Sequence, residues 1–312
     1  EADAGIFEIG MNHAGEITPL TEMVRPTIAI ITTVAAVHLE FFDSVEGIAD
    51  AKAEIFLGLE PGGTAILPAD NPHYGRLDKA AAAVGAKRVT FGTDDADVAL
   101  TAYDEATGEA KARAFGDVVA FSVPGGRHNA SNALAVLAAL KVAGRPLGDI
   151  AAVSQWSASR GRGRKVALEA GSGTATLLDE AFNANPTSMA AAIALLKATP
   201  ADRRIAILGD MLELGPTAPE LHRGLKEALI EADVRIVHTV GKMMRHLAEA
   251  LPTERRGPHH ANAAEVIAAL PALEAGDAVL VKGSKATGLA KVVEAFEARL
   301  GAGGKGGETA DA

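Results

Sequence analysis

Segments with the pattern of strands alternate with segments with the pattern of helices in two blocks, and this alternation limits the possible folds more than any other feature of the chain. In the first block, Thr27–Val34 is β-branched and almost wholly apolar, which predicts a strand buried on both faces. Val45–Leu59 then places its apolar residues along one stripe of a helix. Strands that alternate with helices form a parallel sheet covered on both sides. The sequence therefore predicts an α/β fold.

Further segments extend this pattern in both blocks. In the first block we expect a strand over Ala4–Gly10 that ends close to Glu8, a strand at Thr64–Pro68, a helix at Gly75–Val84, a β-meander from Arg88 to Val123 and a helix at Asn129–Ala143. In the second block we expect strands at Ala175–Asp179, Arg204–Leu208, Val234–Val240 and Ala278–Val281, and helices at Thr187–Ala198, Pro219–Ala232, Met243–Ala250, Ala263–Leu270 and Thr287–Leu300. The arginine- and glycine-rich segment Ser157–Arg164 separates the blocks, so we expect domains at residues 1–160 and 161–300 and a disordered tail at residues 301–312.

Composition narrows the class of function. The 312 residues include 30 Lys and Arg against 40 Asp and Glu, a net charge of −10, whereas binding to nucleic acid or a membrane surface needs a basic face. The chain has no cysteine, which excludes disulfides, thiolate catalysis and zinc–sulfur sites. No apolar run approaches the roughly 18 residues of a membrane span, and no signal peptide is visible. We therefore expect a cytoplasmic protein.

Several polar residues of the first block stand where a ligand site can form, and each also has a structural explanation. Glu8 is expected at a strand end, so it is either a Mg²⁺ ligand or an ordinary surface acid. His38 follows a buried strand and is either a ligand of metal or phosphate or a structural histidine. Lys52 lies on a helix, where spacing alone favours a solvated lysine. Asn129 and Asn132 open a helix, either as caps or as a binding edge.

The second block places charged residues after several strands. Asp179 and Glu180 end one strand, as a ligand site or as part of a capped turn. The segments Gly209–Gly215 and Val281–Lys285 each follow another strand and combine glycine with charge. Open α/β sheets bind ligands outside the carboxyl ends of their strands. Three such loops on one edge predict a site there more strongly than any one of them.

Taken together, these segments resemble the Mur ligase family. The matching segments are Glu8–Ile17, Ala36–Glu40, Ala51–Phe56, Gly126–Ala133, Asn183–Pro186, Gly209–Gly215 and Lys282–Ser284, which occur in the family's order. The loop Asn12-His13-Ala14-Gly15-Glu16 resembles the branch that joins D-alanyl-D-alanine to UDP-N-acetylmuramoyl-tripeptide. One segment departs from the family pattern, because Asp179-Glu180-Ala181-Phe182 stands where members commonly read Asp-Asp-Ser-Tyr. Glu lengthens the reach of the second acid, and Ala and Phe each remove a hydroxyl.

The resemblance implies a central ATPase domain followed by a Rossmann-like carboxyl-terminal domain, with ATP and Mg²⁺ as cofactors. It implies ATP-dependent amide formation through an acyl phosphate, with UDP-N-acetylmuramoyl-tripeptide and D-alanyl-D-alanine as substrates and a monomer as the active form. Glu8 and His38 would hold Mg²⁺, together with Lys52, the lysine that is carbamylated in related ligases. The remaining roles it implies are a phosphate contact for Arg162, an adenine pocket at Asn129 and Asn132, a nucleotide site at Asp179 and Glu180, and substrate contacts at Asn12, His13, Glu16, Asn183, Asn185, Lys282 and Ser284.

One expected motif is absent from the printed sequence. The chain contains no Gly-x-x-x-x-Gly-Lys-Ser/Thr, the loop that cradles phosphates. The resemblance places that loop and a UDP-sugar-binding domain before Glu1, so we expect the chain alone to show no ATP turnover. Two alternatives stay open. The chain belongs to a related amide ligase, such as a sister Mur ligase or a folylpolyglutamate synthase, or it is a non-catalytic module that binds a nucleotide or a peptidoglycan precursor.

Overall fold

The computed structural model describes residues 4–37, 39–92, 95–105, 107–156 and 158–301. His38 and residues 302–312 of the expected tail lie outside the described residues. The chain divides into two compact units, residues 1–156 and residues 157–312. Each unit is built on its own six-stranded sheet. The α/β class expected from the sequence is confirmed.

The first unit has a sheet with strands in sequence order, β1-β2-β3-β4-β5-β6. Its elements are α1 (Ile17–Val24), β1 (Ile28–Ile30), α2 (Val45–Ala53), β2 (Thr64–Pro68), α3 (Tyr74–Ala83), β3 (Lys87–Gly92), β4 (Val98–Tyr103), β5 (Glu109–Ala114), β6 (Asp117–Ser122) and α4 (Arg127–Val142). The first four strands are parallel, and β4, β5 and β6 pair antiparallel. β2 is buried throughout, with Ile66 in one apolar cluster and Ala65 and Leu67 in another. Neighbouring residues of a strand point to opposite faces, so helices cover both sides of this sheet, as the continuous apolar pattern predicted.

The second unit has the strand order β11-β10-β9-β12-β8-β7, parallel except for the antiparallel pair of β7 and β8. Its elements are β7 (Arg164–Ala170), β8 (Gly173–Glu180), α5 (Pro186–Ala198), β9 (Arg203–Gly209), α6 (Ala218–Arg223), α7 (Leu225–Glu231), β10 (Val234–Val240), α8 (Arg245–Ala250), β11 (Arg256–His260), α9 (Ala263–Ala268), β12 (Asp277–Lys282) and α10 (Ala290–Leu300). β12 lies between β8 and β9, so the ends of three central strands meet at one edge. Ala278 and Leu280 of β12 enter one core, and Val279 and Val281 enter the other.

The structure corrects three expectations about elements and adds two strands that were not expected. Ala4–Gly10 is not a strand: no described strand pairs with it, and Ile6 and Phe7 are 98% and 65% exposed. Its apolar pattern is that of a strand, but a strand also needs a hydrogen-bonded neighbour.

The strand expected over Thr27–Val34 is limited to the three residues of β1. The helix expected over Pro219–Ala232 is interrupted at Gly224. The edge strands β7 and β11 were not predicted, because β11 (Arg-Gly-Pro-His-His) has no strand-like composition and β7 (Arg-Lys-Val-Ala-Leu-Glu-Ala) has three charged residues and two alanines among its seven residues.

Among the described residues, no helix combines the length and apolar character needed to cross a membrane.

Candidate active site

Glu180 and Lys282 form a buried pair at the carboxyl edge of the second sheet. They end adjacent parallel strands in direct register, because β8 and β12 pair Glu180 with Lys282. Lys282 Nζ lies 3.7 Å from Glu180 Oε2 and donates a hydrogen bond of 2.8 Å to the carbonyl oxygen of Asn183. Burial raises the pKa of Glu180, and it lowers the pKa of Lys282, which is 3% exposed. The site therefore holds a desolvated ion pair in the position expected for a ligand site.

Asp179 points to the opposite face of β8, where its carboxylate contacts other residues of the protein. It is 2% exposed, and Arg164 Nη2 lies 3.4 Å from its Oδ2. Gly163 N–H donates to its carbonyl oxygen at 2.9 Å, and Ala181 N–H donates to its Oδ1 at 3.4 Å. The two adjacent acids thus have separate surroundings. Glu180 faces Lys282, whereas Asp179 ties the strands β7 and β8 together.

Ser284 joins the loops that follow β8, β9 and β12. Its Oγ accepts a hydrogen bond from Leu212 N–H at 3.0 Å and donates to the carbonyl oxygen of Ala184 at 3.5 Å. Its N–H donates to the carbonyl oxygen of Asp210 at 3.1 Å. Asp210 in turn accepts from Met244 N–H at 2.8 Å and so fixes the turn after β10. These loops form one hydrogen-bonded edge, as their positions after parallel strands predicted.

The two asparagines after β8 shape the start of α5. The Oδ1 of Asn183 accepts a hydrogen bond from Ala184 N–H at 2.8 Å. Asn185 caps α5: its Oδ1 accepts from Ser188 N–H at 2.8 Å, and Ser188 Oγ accepts from Asn185 N–H at 3.0 Å. The capped turn considered from the sequence is therefore present at Asn185.

The three arginines before and at the start of β7 have different partners. Arg160 lies within 3.8 Å of Glu294 and 3.5 Å of Glu297, both on α10. Arg164 reaches Glu297 at 2.7 Å as well as Asp179. Arg162 has no carboxylate within salt-bridge distance in the part of the chain that the structure describes, and its guanidinium lies 4.1 Å from the ring centre of Phe182. Of the three, Arg162 is the one whose charge is not already neutralised.

In the first unit, Glu16 closes the loop that carries Asn12 and His13. Its carboxylate accepts hydrogen bonds from the N–H groups of Asn12 at 2.7 Å and His13 at 3.1 Å, and it lies 3.0 Å from His13 Nδ1. These contacts, led by the Asn12 N–H, lower the pKa of Glu16. The His13 ring lies 4.6 Å from the ring of Phe41. Three of the predicted substrate residues thus form one exposed structure.

Glu54 anchors that loop, and sequence reasoning did not assign it a role. Its carboxylate accepts hydrogen bonds from Gly15 N–H at 2.6 Å and from the N–H and hydroxyl of Thr18 at 3.1 and 3.0 Å. α1 has no side-chain cap of its own, so Glu54 satisfies the free N–H groups at its start. The only sequence signal was its place beside Lys52 in the segment Ala51–Phe56.

Lys52 is not the solvated lysine that spacing favoured. It lies half-buried on α2, burial lowers its pKa, and it has no hydrogen-bond or ion-pair partner among the described residues. Glu8 is exposed in the irregular segment before α1. His38 is not described, so the proposed trio of metal ligands is not tested as a group. Among the residues that the structure does describe, no cluster of three or more His, Asp or Glu forms a cation site.

Asn129 and Asn132 lie one turn apart at the start of α4. The helix begins after Gly126, which makes no side-chain cap, so neither asparagine is the cap residue. Asn129 Nδ2 donates a hydrogen bond of 2.9 Å to the carbonyl oxygen of Pro124 and packs closely on Gly125, which has a φ of +90°. Asn132 is exposed on the next turn. The capping explanation for these two residues is wrong, and a binding edge stays a prediction.

His222 supports the loop after β9 at this edge of the sheet, and sequence reasoning did not assign it a role. Its Nε2 accepts a hydrogen bond from Met211 N–H at 3.0 Å, and its Nδ1 lies 2.6 Å from the carbonyl oxygen of Ala218. This pattern needs the neutral ring with the proton on Nδ1. Burial lowers the pKa of His222, which keeps the ring neutral and holds the loop after β9 in place.

Two mostly parallel sheets with helices on both faces define an α/β protein, and its charged loops lie at the edge where such folds bind ligands. Residues 1–140 match the Mur ligase middle domain, and residues 161–285 match the Mur ligase glutamate ligase domain. The chain belongs to the Mur ligase family.

The similar proteins carry one recurrent name. A UDP-N-acetylmuramoyl-tripeptide–D-alanyl-D-alanine ligase of Rickettsia prowazekii is 31% identical over 95% of this chain and 67% of its own length. The protein of that name in Escherichia coli is 34% identical over 95% of this chain and 66% of its own length. A crystal structure of MurF from Acinetobacter baumannii superimposes with a TM-score of 0.82 at 25% identity, over 93% of this chain and 64% of that one. The chain thus spans about two thirds of the length of these relatives.

Proposed function

We propose that this chain is part of an ATP-dependent ligase that joins D-alanyl-D-alanine to UDP-N-acetylmuramoyl-tripeptide in peptidoglycan synthesis. The observation that carries the proposal is the match of nearly the whole chain to ligases of that one name. The loop Asn12-His13-Ala14-Gly15-Glu16 supports the proposal, because it resembles the loop of that branch of the family. Hydrogen bonds from Asn12 N–H to Glu16 and from Gly15 N–H to Glu54 hold the loop in one conformation. The same proposal places the enzyme in the cytoplasm and treats it as a monomer.

The reaction would proceed in two steps. The terminal carboxylate of the tripeptide attacks the γ-phosphorus of ATP, so a carboxyl oxygen–phosphorus bond forms and ADP leaves. The amine of D-alanyl-D-alanine then attacks the acyl carbon, loses a proton, and phosphate leaves from the tetrahedral intermediate. Both steps move negative charge among phosphoryl and carbonyl oxygens, so the site must supply fixed positive charge.

The partial burial of Lys52 supports the proposal that it is carbamylated. A neutral amine adds to CO₂, a nitrogen–carbon bond forms, and one proton is released to give a carbamate. Burial lowers the pKa of Lys52 and so favours the neutral amine. The carbamate would convert a cation into a carboxylate-like group, and carboxylate oxygens fit Mg²⁺. Glu8, His38 and the modified Lys52 would hold Mg²⁺, which supplies positive charge near the transferring phosphoryl group.

The edge of the second sheet would bind the nucleotide and the acyl intermediate. Arg162, whose charge is not paired with a carboxylate, would contact the phosphates. Glu180 would contact the ribose, with Lys282 placing its carboxylate, while Asp179 would support that site through β8. Asn129 and Asn132 would line the adenine pocket. Asn12, His13, Glu16, Asn183, Asn185, Lys282 and Ser284 would contact the substrates.

An amino-acid competition assay tests the proposed reaction. The natural full-length protein is supplied with UDP-N-acetylmuramoyl-tripeptide, ATP and Mg²⁺, and ADP release is measured with D-alanyl-D-alanine or with single amino acids. We expect turnover that depends on the dipeptide and a product whose mass equals tripeptide precursor plus dipeptide minus water. Turnover that ignores the dipeptide but needs another amino acid would assign a sister ligase. Nucleotide binding without any turnover would assign a binding module.

A further inference from the structure

Phe182 lies beside two cations that come from different loops of the second unit. The Arg162 guanidinium is 4.1 Å from the centre of the Phe182 ring, and Lys285 Nζ is 5.4 Å from it. The face of an aromatic ring attracts a cation within about 6 Å. Phe182 is 36% exposed, so the ring is open to solvent and is not a core residue. A partly exposed phenylalanine with two cations needs an explanation other than packing.

The backbone fixes the ring relative to the arginine loop. Phe182 N–H donates a hydrogen bond of 3.2 Å to the carbonyl oxygen of Gly161, the residue before Arg162. Gly161 has a φ of +77°, and a Cβ at that position would lie 2.8 Å from the Cβ of Phe182. Glycine is therefore required for this approach. The contact brings the loop before β7 against the loop after β8, with the ring beside the Arg162 side chain.

The ring holds these cations without neutralising them. Neither Arg162 nor Lys285 has a carboxylate within salt-bridge distance among the residues described, whereas Arg160 and Arg164, two positions before and after Arg162, both do. An acidic neighbour would cancel the charge that an anionic ligand needs, while the ring's quadrupole orients a cation and leaves its charge available. Two oriented cations of this kind suit a group with several anionic oxygens, and a phosphoryl group is such a group.

We propose that Phe182 is a positioning residue that holds Arg162 and Lys285 as a paired cation site for the phosphoryl groups of the nucleotide. This role rests on the proposed ATP-dependent ligation and adds to it a residue that touches neither substrate. It also gives a physical role to the phenylalanine that replaces the family's usual tyrosine. The hydroxyl is not needed for it, since the ring alone interacts with the cations.

Substitutions of the ring in the full-length protein test this proposal. Phe182→Leu and Phe182→Met keep an apolar side chain but remove the aromatic face, and Phe182→Tyr keeps the face. We expect the first two variants to lower kcat/KM for ATP and to weaken ADP binding by about tenfold, as two exposed cation–π contacts imply. Phe182→Tyr stays within about twofold of the parent. Phe115→Leu is the matched control, because Phe115 also lies near a lysine, with Lys141 Nζ at 5.6 Å, but outside the proposed site.

A double-mutant comparison separates positioning from a structural role. In an Arg162→Gln, Lys285→Gln background, Phe182→Leu is expected to have no further effect on ADP affinity, because the ring acts only through those cations. An equal loss in both backgrounds, or full ADP affinity in Phe182→Leu and Phe182→Met, would overturn the proposal. Absence of dipeptide-dependent turnover in the parent would instead refute the proposed ligation, and ADP affinity would still decide the role of Phe182.

Discussion

Burial separates charged residues that look alike in the sequence. Lys52 and Lys79 both lie on helices of the first unit, but Lys79 is exposed whereas Lys52 is half-buried with a lowered pKa. The arginines at positions 160, 162 and 164 differ in their ion pairs instead, because carboxylates of α10 neutralise the outer two. Residue type and spacing carry no information on these differences, which arise from contacts with distant parts of the chain.

Carbamylation of Lys52 is a prediction at this scale. We expect the full-length protein equilibrated with ¹³C-labelled bicarbonate to show a carbamate carbon signal in the NMR spectrum that is lost in Lys52→Arg. Because burial lowers the lysine pKa, the signal should persist to lower pH than that of an exposed lysine, and it should fall as the pH decreases and the amine becomes protonated. Lys79→Arg, the control, should keep the signal. Its persistence in Lys52→Arg would show that another amine is modified.

Some residues of the candidate site also cap a helix. The Asn185–Ser188 capping box begins α5, and Pro186 follows at the first helical position. α1 is capped from a distance by Glu54, which the sequence pattern did not indicate. A cap between near neighbours such as Asn185 and Ser188 can be predicted from sequence, whereas the cap of Thr18 by Glu54, 36 positions away, cannot.

Asn185 offers a prediction that separates its two roles. Asn185→Ala should reduce the free energy of unfolding by about 1 kcal/mol, because the Ser188 N–H loses its partner. Asn185→Asp keeps an acceptor oxygen and should retain most of that stability. Denaturant unfolding of both variants measures this. If Asn185 also contacts substrate through its amide nitrogen, Asn185→Asp will raise the KM for substrate at unchanged stability. Equal stability of Asn185→Ala and the parent would argue against the cap.

The stability of the whole molecule should depend on pH, because several histidines of the second unit are buried in the neutral form. His222, His238 and His260 are all buried, and burial lowers the pKa of each, that of His238 to about 4. His238 and His260 stack with ring centres 5.6 Å apart, so a charge on either ring disfavours a charge on the other. Below pH 6.5 the unfolded chain binds protons that the folded chain resists. Stability should therefore fall as the pH drops from about 6.5 toward 4.

Chemical denaturation at a series of pH values measures this effect. His238 should remove roughly 1 kcal/mol of stability per pH unit within that window, and the lowered pKa values of His222 and His260 should add to the loss. His238→Gln removes one titrating group and should flatten the dependence of the unfolding free energy on pH, even if it lowers stability at pH 7. Glu265 and His259 lie near His260 and have opposite effects on its charge, so His238 is the cleaner substitution. An unchanged pH dependence in His238→Gln would contradict the prediction.

The sequence by itself determined the α/β class and most of the buried elements. β2 and β10 have the bounds that the sequence predicted. In β2, burial of every residue leaves a run that local inspection can detect, and in β10 the β-branched residues indicate the strand although Arg235 and His238 interrupt the apolar pattern. The order of short motifs indicated the family and the edge of the second sheet where charged loops meet. These features are local, or depend only on the rule that parallel strands end at the same edge.

Only the tertiary structure decided which polar groups face one another. It paired Glu180 with Lys282, residues 102 positions apart, because β12 inserts between β8 and β9. It left Arg162 beside Phe182 and Lys285 while it neutralised Arg160 and Arg164. Among the residues that the structure describes, Ala4–Gly10 has no strand partner. Side-chain patterns record whether a residue is buried, but charge pairing and strand pairing depend on which distant segment lies alongside, and only the folded chain contains that information.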